Sequence, residues 1–584
     1  MCPIILSIVK NRIAFIRESI RKAFASFSLG EKSVFSLLVL IALITAFTTI
    51  HSVNSLFLTE IPKKGGSFSE GVVGTIRYIN PTLAFSDTDR DLSSLIYSGL
   101  LKAKPDGTFT PDLASDYSIS EDGKTYVFNI RQNAVFHDGS PVTADDILFT
   151  VQKIQDPTLK SPKRANWDGV IAEKISDKIV KFTLRQAYVP FIENTTLGIL
   201  PKHIWKDANA DEFSFSQFNI EPVGSGPYKV SKVSRNASGI PESITLESFN
   251  HYVLGTPYIN SMKFNFYQNE KTLVDSYYKG NFKSFHTTSG ETALALEKSG
   301  SNIERYPLPQ VFAIFFNQNH NPIFTHKEVR LALSAVTNRQ EILDQTLHGF
   351  GAEALSPIPQ GLAKSTSING AVSRSGIADA QAILEKAGWK KNASGIYELK
   401  SKTLAGQAKT ETLTFTISTG DAPELKQSAE IIKKQWETLG SIVDVKVFEM
   451  TDLNQTVIRP RKYDALFFGE VVGRELDLYA FWHSSQRNDP GLNISMYTNA
   501  KVDKLIEDSR VINDSDKRTL AYQQIESEIL NDVPAVFMYS PDFIYILPKE
   551  IKGFSVGKIV LPSDRFSDVE KWYIETDHVW NMFK

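Results

Sequence analysis

A mixed α/β body behind one amino-terminal membrane helix is what the sequence predicts, on three observations. Residues 33–59 hold no Asp, Glu, Lys or Arg and are long enough to cross a bilayer. Beyond them, period-two strand patterns and 3.6-period helix patterns follow one another without a low-complexity linker. The composition over 584 residues, 42% hydrophobic and 22% charged, is that of a globular chain with ample core.

The apolar centre, 34–50, reads VFSLLVLIALITAFTTI. Before it stand Lys10, Arg12, Arg17, Arg21, Lys22 and Lys32. Excess Lys and Arg keeps to the cytoplasmic side, so the segment 1–32, with Cys2, is expected inside and the body outside, with 33–58 as the anchor. A cleaved secretory signal or a buried core helix would share this apolarity. Against a signal stand the long leader, a run exceeding the usual ~7–15 residues, and the lack of an A-x-A site. No cysteine follows to carry a lipid. Within 11–29, Ile13, Ile16, Ile20, Phe24 and Phe27 recur at helical spacing beside four basic residues. That suits either a helix on the inner membrane surface or an unstructured basic flank.

The formal charge of -2 hides an asymmetry, because residues 1–64 carry eight Lys/Arg against three Asp/Glu. The remainder has 56 basic and 63 acidic side chains, a net of -7. No clustered positive surface for nucleic acid is expected from it. With Cys2 alone, neither an internal disulfide nor a Cys-based zinc site can form.

After a polar joint at 62–66, alternation in 125–131 (TYVFNIR) and 179–184 predicts half-buried strands, with Asp122-Gly123 as a turn. Helical periodicity marks 144–155, 327–347, 377–387, 424–439, 501–511 and 516–530. Thr143 before Ala144-Asp145-Asp146 is an N-cap with two carboxylates in the first turn, where the helix dipole favours them. Gly388 and Gly440 sit where a left-handed residue ends a helix.

No phosphate-loop, dinucleotide, serine-hydrolase or H-E-x-x-H motif occurs, and no two His are four apart, so no cofactor and no metal is expected. Asp145/Asp146, Glu470/Glu475 and Asp542 could enter a two-carboxylate hydrolase. Solvated faces and helix starts are the alternative. Gly224-Ser225-Gly226-Pro227 lacks the Lys of a phosphate loop and is expected to be a tight turn into a strand.

The body also carries an ordered series of short motifs. Gly65-Gly66, Glu70-Gly71 and Ile79-Asn80-Pro81 open it, followed by Gly99-Leu100-Leu101, Pro111-Asp112-Leu113-Ala114 and Ser120-x-Asp122-Gly123-x-Thr125-Tyr126-x-Phe128. Phe136-His137-Asp138-Gly139-x-Pro141-x-Thr143-Ala144-Asp145-Asp146 is the most specific run. Later come Leu200-Pro201-Lys202-His203, Gly224-Ser225-Gly226-Pro227-Tyr228, Asn317, Val329-Arg330-x-Ala332-Leu333, Asn338-Arg339 and Ala387-Gly388-Trp389. Tyr463-Asp464, Phe481-Trp482-His483-Ser484-Ser485, Asn493 with Tyr497, and Asp532-x-Pro534 complete it. Over about 65–545, this succession resembles the solute-binding proteins of peptide ABC importers, extracellular family 5, the dipeptide/oligopeptide type.

The resemblance implies an α/β, two-lobed periplasmic-binding-protein fold of type II, the large peptide-binding class. Lobe I would comprise 64–306, with an inserted subdomain at about 105–215, and the return 540–584; lobe II would be 307–539. A peptide would be held as an added strand, its backbone giving affinity and wet pockets giving tolerance. The family's contact segments fall on Asn80, Asn317, Phe467, Phe468, Gly469, Glu470, Trp482, Asn493 and Tyr539. Core packing is the alternative for the aromatics.

One departure stands out: many peptide-binding members place an Asp beyond this strand, before an acidic-Pro pair, for the peptide's ammonium group. Here the segment reads Glu470-Val471-Val472-Gly473-Arg474-Glu475-Leu476-Asp477. Glu470 or Glu475 could substitute, and Arg474 could favour an anionic group. The expected function is a membrane-tethered, monomeric, non-catalytic receptor delivering oligopeptides to ABC permease subunits. A non-peptide solute such as an oligosaccharide or metal chelate, an anchored hydrolase and a sensor are the other readings.

Overall fold

In the computed structural model, residues 15, 17–18, 21–22, 25–359, 376–402 and 408–580 are described. Cys2, Ile13, Ile16, Ile20 and Phe24 lie outside them.

The uncharged run forms the single helix Leu29–Phe57, started ahead of the run by a capping box. Ser28 N donates to Glu31 Oε2 at 2.8 Å while Glu31 N donates to Ser28 Oγ at 3.4 Å. Leu29–Ile50 is long and apolar enough to cross a membrane. Thr45 and Thr48 hydroxyls donate to Ile41 O and Thr45 O, so these polar side chains are satisfied on their own helix. The chain then enters the strand Leu58–Lys63, which pairs antiparallel with Glu575–Trp580. The first two residues of the expected joint are therefore strand, and Glu575–Trp580 pairs outside the body Lys64–Ile574.

In the body, Thr125–Ile130 and Ile179–Thr183 are central strands of a four-stranded antiparallel sheet, between Ala114–Ile119 and Ile171–Ser176. Tyr126, Phe128, Ile130, Val180 and Phe182 are buried in one core, shared with Ile147, Val151 and Ile154 of the helix Ala144–Gln155. Gly123 takes φ 66 in the expected turn. Thr143 N and Oγ1 both donate to Asp146 Oδ2, at 2.8 and 2.7 Å, and Asp145 pairs with Lys174 and Lys202. Asp146 thus caps the start of the helix, and Asp145 is held in ion pairs.

A second four-stranded sheet runs Ser67–Val73, Ser261–Tyr267, Pro241–Ser248, Tyr228–Arg235, its first pair parallel. Phe68, Val72 and Phe264 share a core with Phe543, Phe566 and Trp572 from the carboxy-terminal return. Glu70 is buried beneath it with a cation: Arg565 Nη2 lies 2.6 Å from Glu70 Oε1 and 2.6 Å from Asp91 Oδ2, and Tyr545 donates to Glu70. Gly224 and Gly226 lie against the Ile96 backbone, where a Cβ would meet Ile96 main-chain atoms at 2.0 and 2.7 Å. That close approach explains the glycines of the predicted turn, which leads into Tyr228–Arg235.

The third sheet is mixed, in the order Phe285–Thr287, Ala535–Ile546, Gln310–Phe316, Ala465–Val471, Thr414–Gly420, Ile442–Phe448. Ala535–Ile546 is buried throughout. Gln310–Phe316 pairs with its first half and Ile303–Pro307 with its second. Through Phe543 and Tyr545 the strand belongs to the first core, and through Val536, Met538 and Tyr539 to another. Two segments passing together between two cores give the two-lobed architecture. Along Gln310–Phe316, Ile314 and Phe316 face one core and Val311, Ala313 and Phe315 the core on the opposite face.

The helices follow their apolar periods: Gly376–Lys386, Pro423–Leu439, Ala500–Ser509 and Ser515–Asp532. The predicted helix 327–347 is broken into Lys327–Val336 and Arg339–Ile342 plus a wide turn. Asn338 causes the break, its side chain accepting from Glu341 N to start a new helix. Gly388 and Gly440 take φ 95 and 109, as helix-ending residues.

Candidate functional site

The helix Asp87–Ile96 ends against the glycine turn, so the chain after it runs along the wall of a cavity of about 440 Å³. Tyr97, Ser98 and Lys102 line one side, joined by Asp112 and Tyr252. Gly99 permits this course, because a Cβ there would meet the Thr196 backbone at 2.5 Å. Residues near 163–167 and 188–197 continue the wall, and parts of the return 560–570 close it. The opposite side is the loop 473–477, which follows the strand Ala465–Val471 of the mixed sheet.

That loop is fastened to the facing wall by the protein's own groups. Arg474 Nη2 lies 2.7 Å from Asp564 Oδ2, and Arg474 Nη1 donates to Lys558 O. Lys558 Nζ donates back to Arg474 O at 2.7 Å. Glu475 N donates to Glu193 Oε2, and Tyr188 Oη donates to Asp477 Oδ2 at 3.1 Å. Arg510 pairs with Asp477 and lies over the rings of Tyr188 and Tyr479. The cavity is thus walled from both sides of the crossing strands, the geometry that closure of two lobes on a solute requires.

Six carboxylates line it, Asp112, Glu193, Glu475, Asp477, Asp564 and Glu570, against the cations Lys102, Lys163 and Arg474. Arg474 is 6% exposed and its charge is taken up by Asp564, so it is not free for an anionic ligand. Burial pushes Asp112 up to about 7, with Lys102 only partly offsetting it. Burial also raises Glu193 and lowers Lys163.

Of the residues expected to bind ligand, Glu475 lines this cavity. Asn80 is buried, its Oδ1 accepting from Thr82 N and Oγ1 and its Nδ2 donating to Asn219. Asn317 holds a turn through Asn319 N, His320 N and Arg461 O. Asn493 ties His483 O to Tyr497 O. Trp482 is buried among Phe315, Tyr497 and Phe537. Phe467 and Tyr539 pack around Phe312, Tyr539 stacked at 5.0 Å. Gly469 faces the same ring, where a Cβ would fall 2.8 Å from it. Phe468 packs on the other face of the sheet. Glu470 is 2% exposed and burial raises its carboxyl well above the usual range, the adjacent Trp482 indole being its one offsetting neighbour. Asp542 is bound by Arg305 at 2.8 Å.

Backbone pairing on this strand is uneven. Gln310–Phe316 pairs with all of Ala465–Val471, but Thr414–Gly420 pairs only with Ala465 and Leu466. Sequence reasoning did not assign Tyr97, Ser98, Lys102, Glu193 or Asp564 to a site; Asp112 stood in a quoted motif without a role.

A walled cavity between two lobes joined by crossing strands defines a solute-binding protein of the two-lobed class. The chain belongs to family 5 of the bacterial extracellular solute-binding proteins: residues 108–500 match "Bacterial extracellular solute-binding proteins, family 5 Middle". It is 26% identical to the oligopeptide-binding protein AppA of Bacillus subtilis over 521 residues, 88% of this chain and 92% of that one. The crystal structure of the ABC transporter substrate-binding protein CtaP of Listeria monocytogenes superposes with a TM-score of 0.74 at 26% identity, covering 88% of this chain and all of that one. AppA of Bacillus subtilis in complex with a nonapeptide gives a TM-score of 0.69 over the same shares.

Proposed function

We propose that this chain is a membrane-tethered receptor that captures short peptides between its lobes and delivers them to the permease of an ABC importer, without catalysing a reaction. The observation that carries the reading is a cavity lined by lobe I and by the loop 473–477, which directly follows the strand Ala465–Val471, whose second half lacks a strand partner on one edge. An extended peptide satisfies such an edge through its own backbone. The oligopeptide-binding name of the 26% identical relative supports the same ligand class. Contacts are proposed from the backbone of 467–470, while Glu475 lines the cavity with its amide given to Glu193. Asn80, Asn317, Trp482, Asn493 and Tyr539 would hold the surrounding turns and strands in place.

The helix Leu29–Phe57 would act as an uncleaved anchor with its basic flank in the cytoplasm and the monomeric body outside. Tethering beside the permease raises the local concentration of the docking partner. Lobe limits near 306/307 and 539/540 fit the crossing at Ile303–Pro307 and Ala535–Ile546. Native mass spectrometry of the detergent-solubilised full chain tests the reading: co-purified peptides of mixed sequence are expected. Cleavage of a supplied peptide would refute the non-catalytic assignment, and recovery of only non-peptide solute would refute the ligand class.

A further inference from the structure

Resting on the peptide-receptor reading, we propose that a primary ammonium group of the ligand docks on the lobe I wall at Asp112, between Ser98 and Tyr252. Asp112 is 4% exposed and lines the cavity. Among the described residues it has no cation within ion-pair distance; Tyr252 Oη donates to it at 3.4 Å and the Ser98 hydroxyl lies beside it. Its neighbour Lys102 is engaged elsewhere, 2.7 Å from Glu570 and 3.3 Å from Asp568. Lys571 pairs with Asp568 on the outer side. Two ammonium groups therefore serve three carboxylates, and the corner lacks one cation. A second mark of a ligand lies on the same wall: the Tyr97 hydroxyl, on a side chain 4% exposed, has no hydrogen-bond partner among the described residues.

The other lining carboxylates are differently placed. Asp564 is held by Arg474, Asp477 by Arg510 at 3.2 Å, and Glu475 has Arg518 at 3.8 Å. Glu193 accepts from Glu475 N and feels both Arg474 and Lys163. An ammonium offers three donors in a compact head. At Asp112 it would relieve an unpaired buried charge, the arrangement in which a charge-assisted hydrogen bond gains most.

The test is calorimetric titration of the solubilised full chain with trialanine, N-acetyl-trialanine and N-acetyl-Ala-Lys-Ala, for wild type, Asp112→Asn and Glu475→Gln. Acetylation of trialanine is expected to weaken wild-type binding about tenfold or more. Asp112→Asn should weaken trialanine by a similar factor and abolish the discrimination, which Glu475→Gln should keep. Binding of N-acetyl-Ala-Lys-Ala that depends on Asp112 would extend the site to side-chain amines; without it the site takes the peptide terminus. Retained discrimination in Asp112→Asn, or its loss in Glu475→Gln, overturns the assignment while leaving the receptor reading intact. No wild-type binding of any of the three removes both. Should Asp112→Asn fail to fold, wild-type discrimination and a several-fold loss of trialanine affinity in Ser98→Ala decide the matter; equal wild-type affinities overturn it.

Discussion

Asp112 gives stability a pH dependence opposite to that of a salt-bridged carboxylate. Its carboxyl is raised from 3.8 to about 7 by burial. Between about pH 4 and 7 the folded chain holds a proton there that the unfolded chain has released, so stability falls as pH rises through that window. Above pH 7 the folded chain carries the buried charge at full cost. The rise from 3.8 to about 7, at about 1.36 kcal/mol per pH unit, amounts to about 4 kcal/mol. Asp112→Asn removes the charge and keeps the shape, so it should be more stable than wild type by up to ~4 kcal/mol at pH 8 and nearly equal to it at pH 4. Urea midpoints of the full chain from pH 4 to 8.5 measure the difference. Asp91, also raised to about 7, imposes the same trend on both proteins and cancels. An offset that stays constant with pH, or a wild type that gains on the variant as pH rises, would refute the reasoning.

Arg565→Met strands Glu70 and Asp91 in the core and should cost about 3–5 kcal/mol at pH 8. Both carboxyls are raised, so thermal melts should show the loss shrinking as pH falls toward 5; a pH-independent loss would place the role of Arg565 in packing. Gly469→Ala sets a Cβ 2.8 Å from the Phe312 ring and should cost about 1–3 kcal/mol, largely restored by adding Phe312→Leu, as read from denaturation midpoints. Arg474→Ala removes the ion pair to Asp564 and the bond to Lys558 O, and should increase the radius of gyration in solution scattering. An unchanged radius would mean that the loop does not hold the seam.

Elements whose cause is local were legible in the sequence. Thr143 with Asp146 starts a helix at Ala144 by hydrogen bonds spanning three residues, and Asp122-Gly123 makes a turn from its own φ preference. The crossing was legible only through the family resemblance, and the cavity not at all, because their causes lie hundreds of residues apart. Nothing in ETDHVW announces a partner at Leu58–Lys63, and the Arg565 that neutralises Glu70 is 495 residues away. The candidate site suffered most. Trp482, Phe467 and Asn493 have the composition of a binding surface, and each is buried in packing or in a turn. Asp112 lies in a motif that assigns it no role; its solitude shows only when Lys102 is found engaged with Glu570 and Asp568.

The loop 473–477 links these points. In sequence it departs from the family pattern by offering Arg474 and Glu475 where an ammonium-binding Asp is common. In the fold, the charge of Arg474 is taken up by Asp564, and the Glu475 amide is given to Glu193. The loop therefore works as a fastening between lobes, and its charges largely cancel within the protein. What remains facing the cavity is an excess of carboxylate concentrated on lobe I. A ligand can favour the closed arrangement only through contacts stronger there than in the open one. A cationic group meeting Asp112 gains such a contact, because the closed wall excludes water from the pair and lowers the dielectric around it. On the proposed reading, selectivity for a free amine then comes from lobe I, where the excess of carboxylate lies.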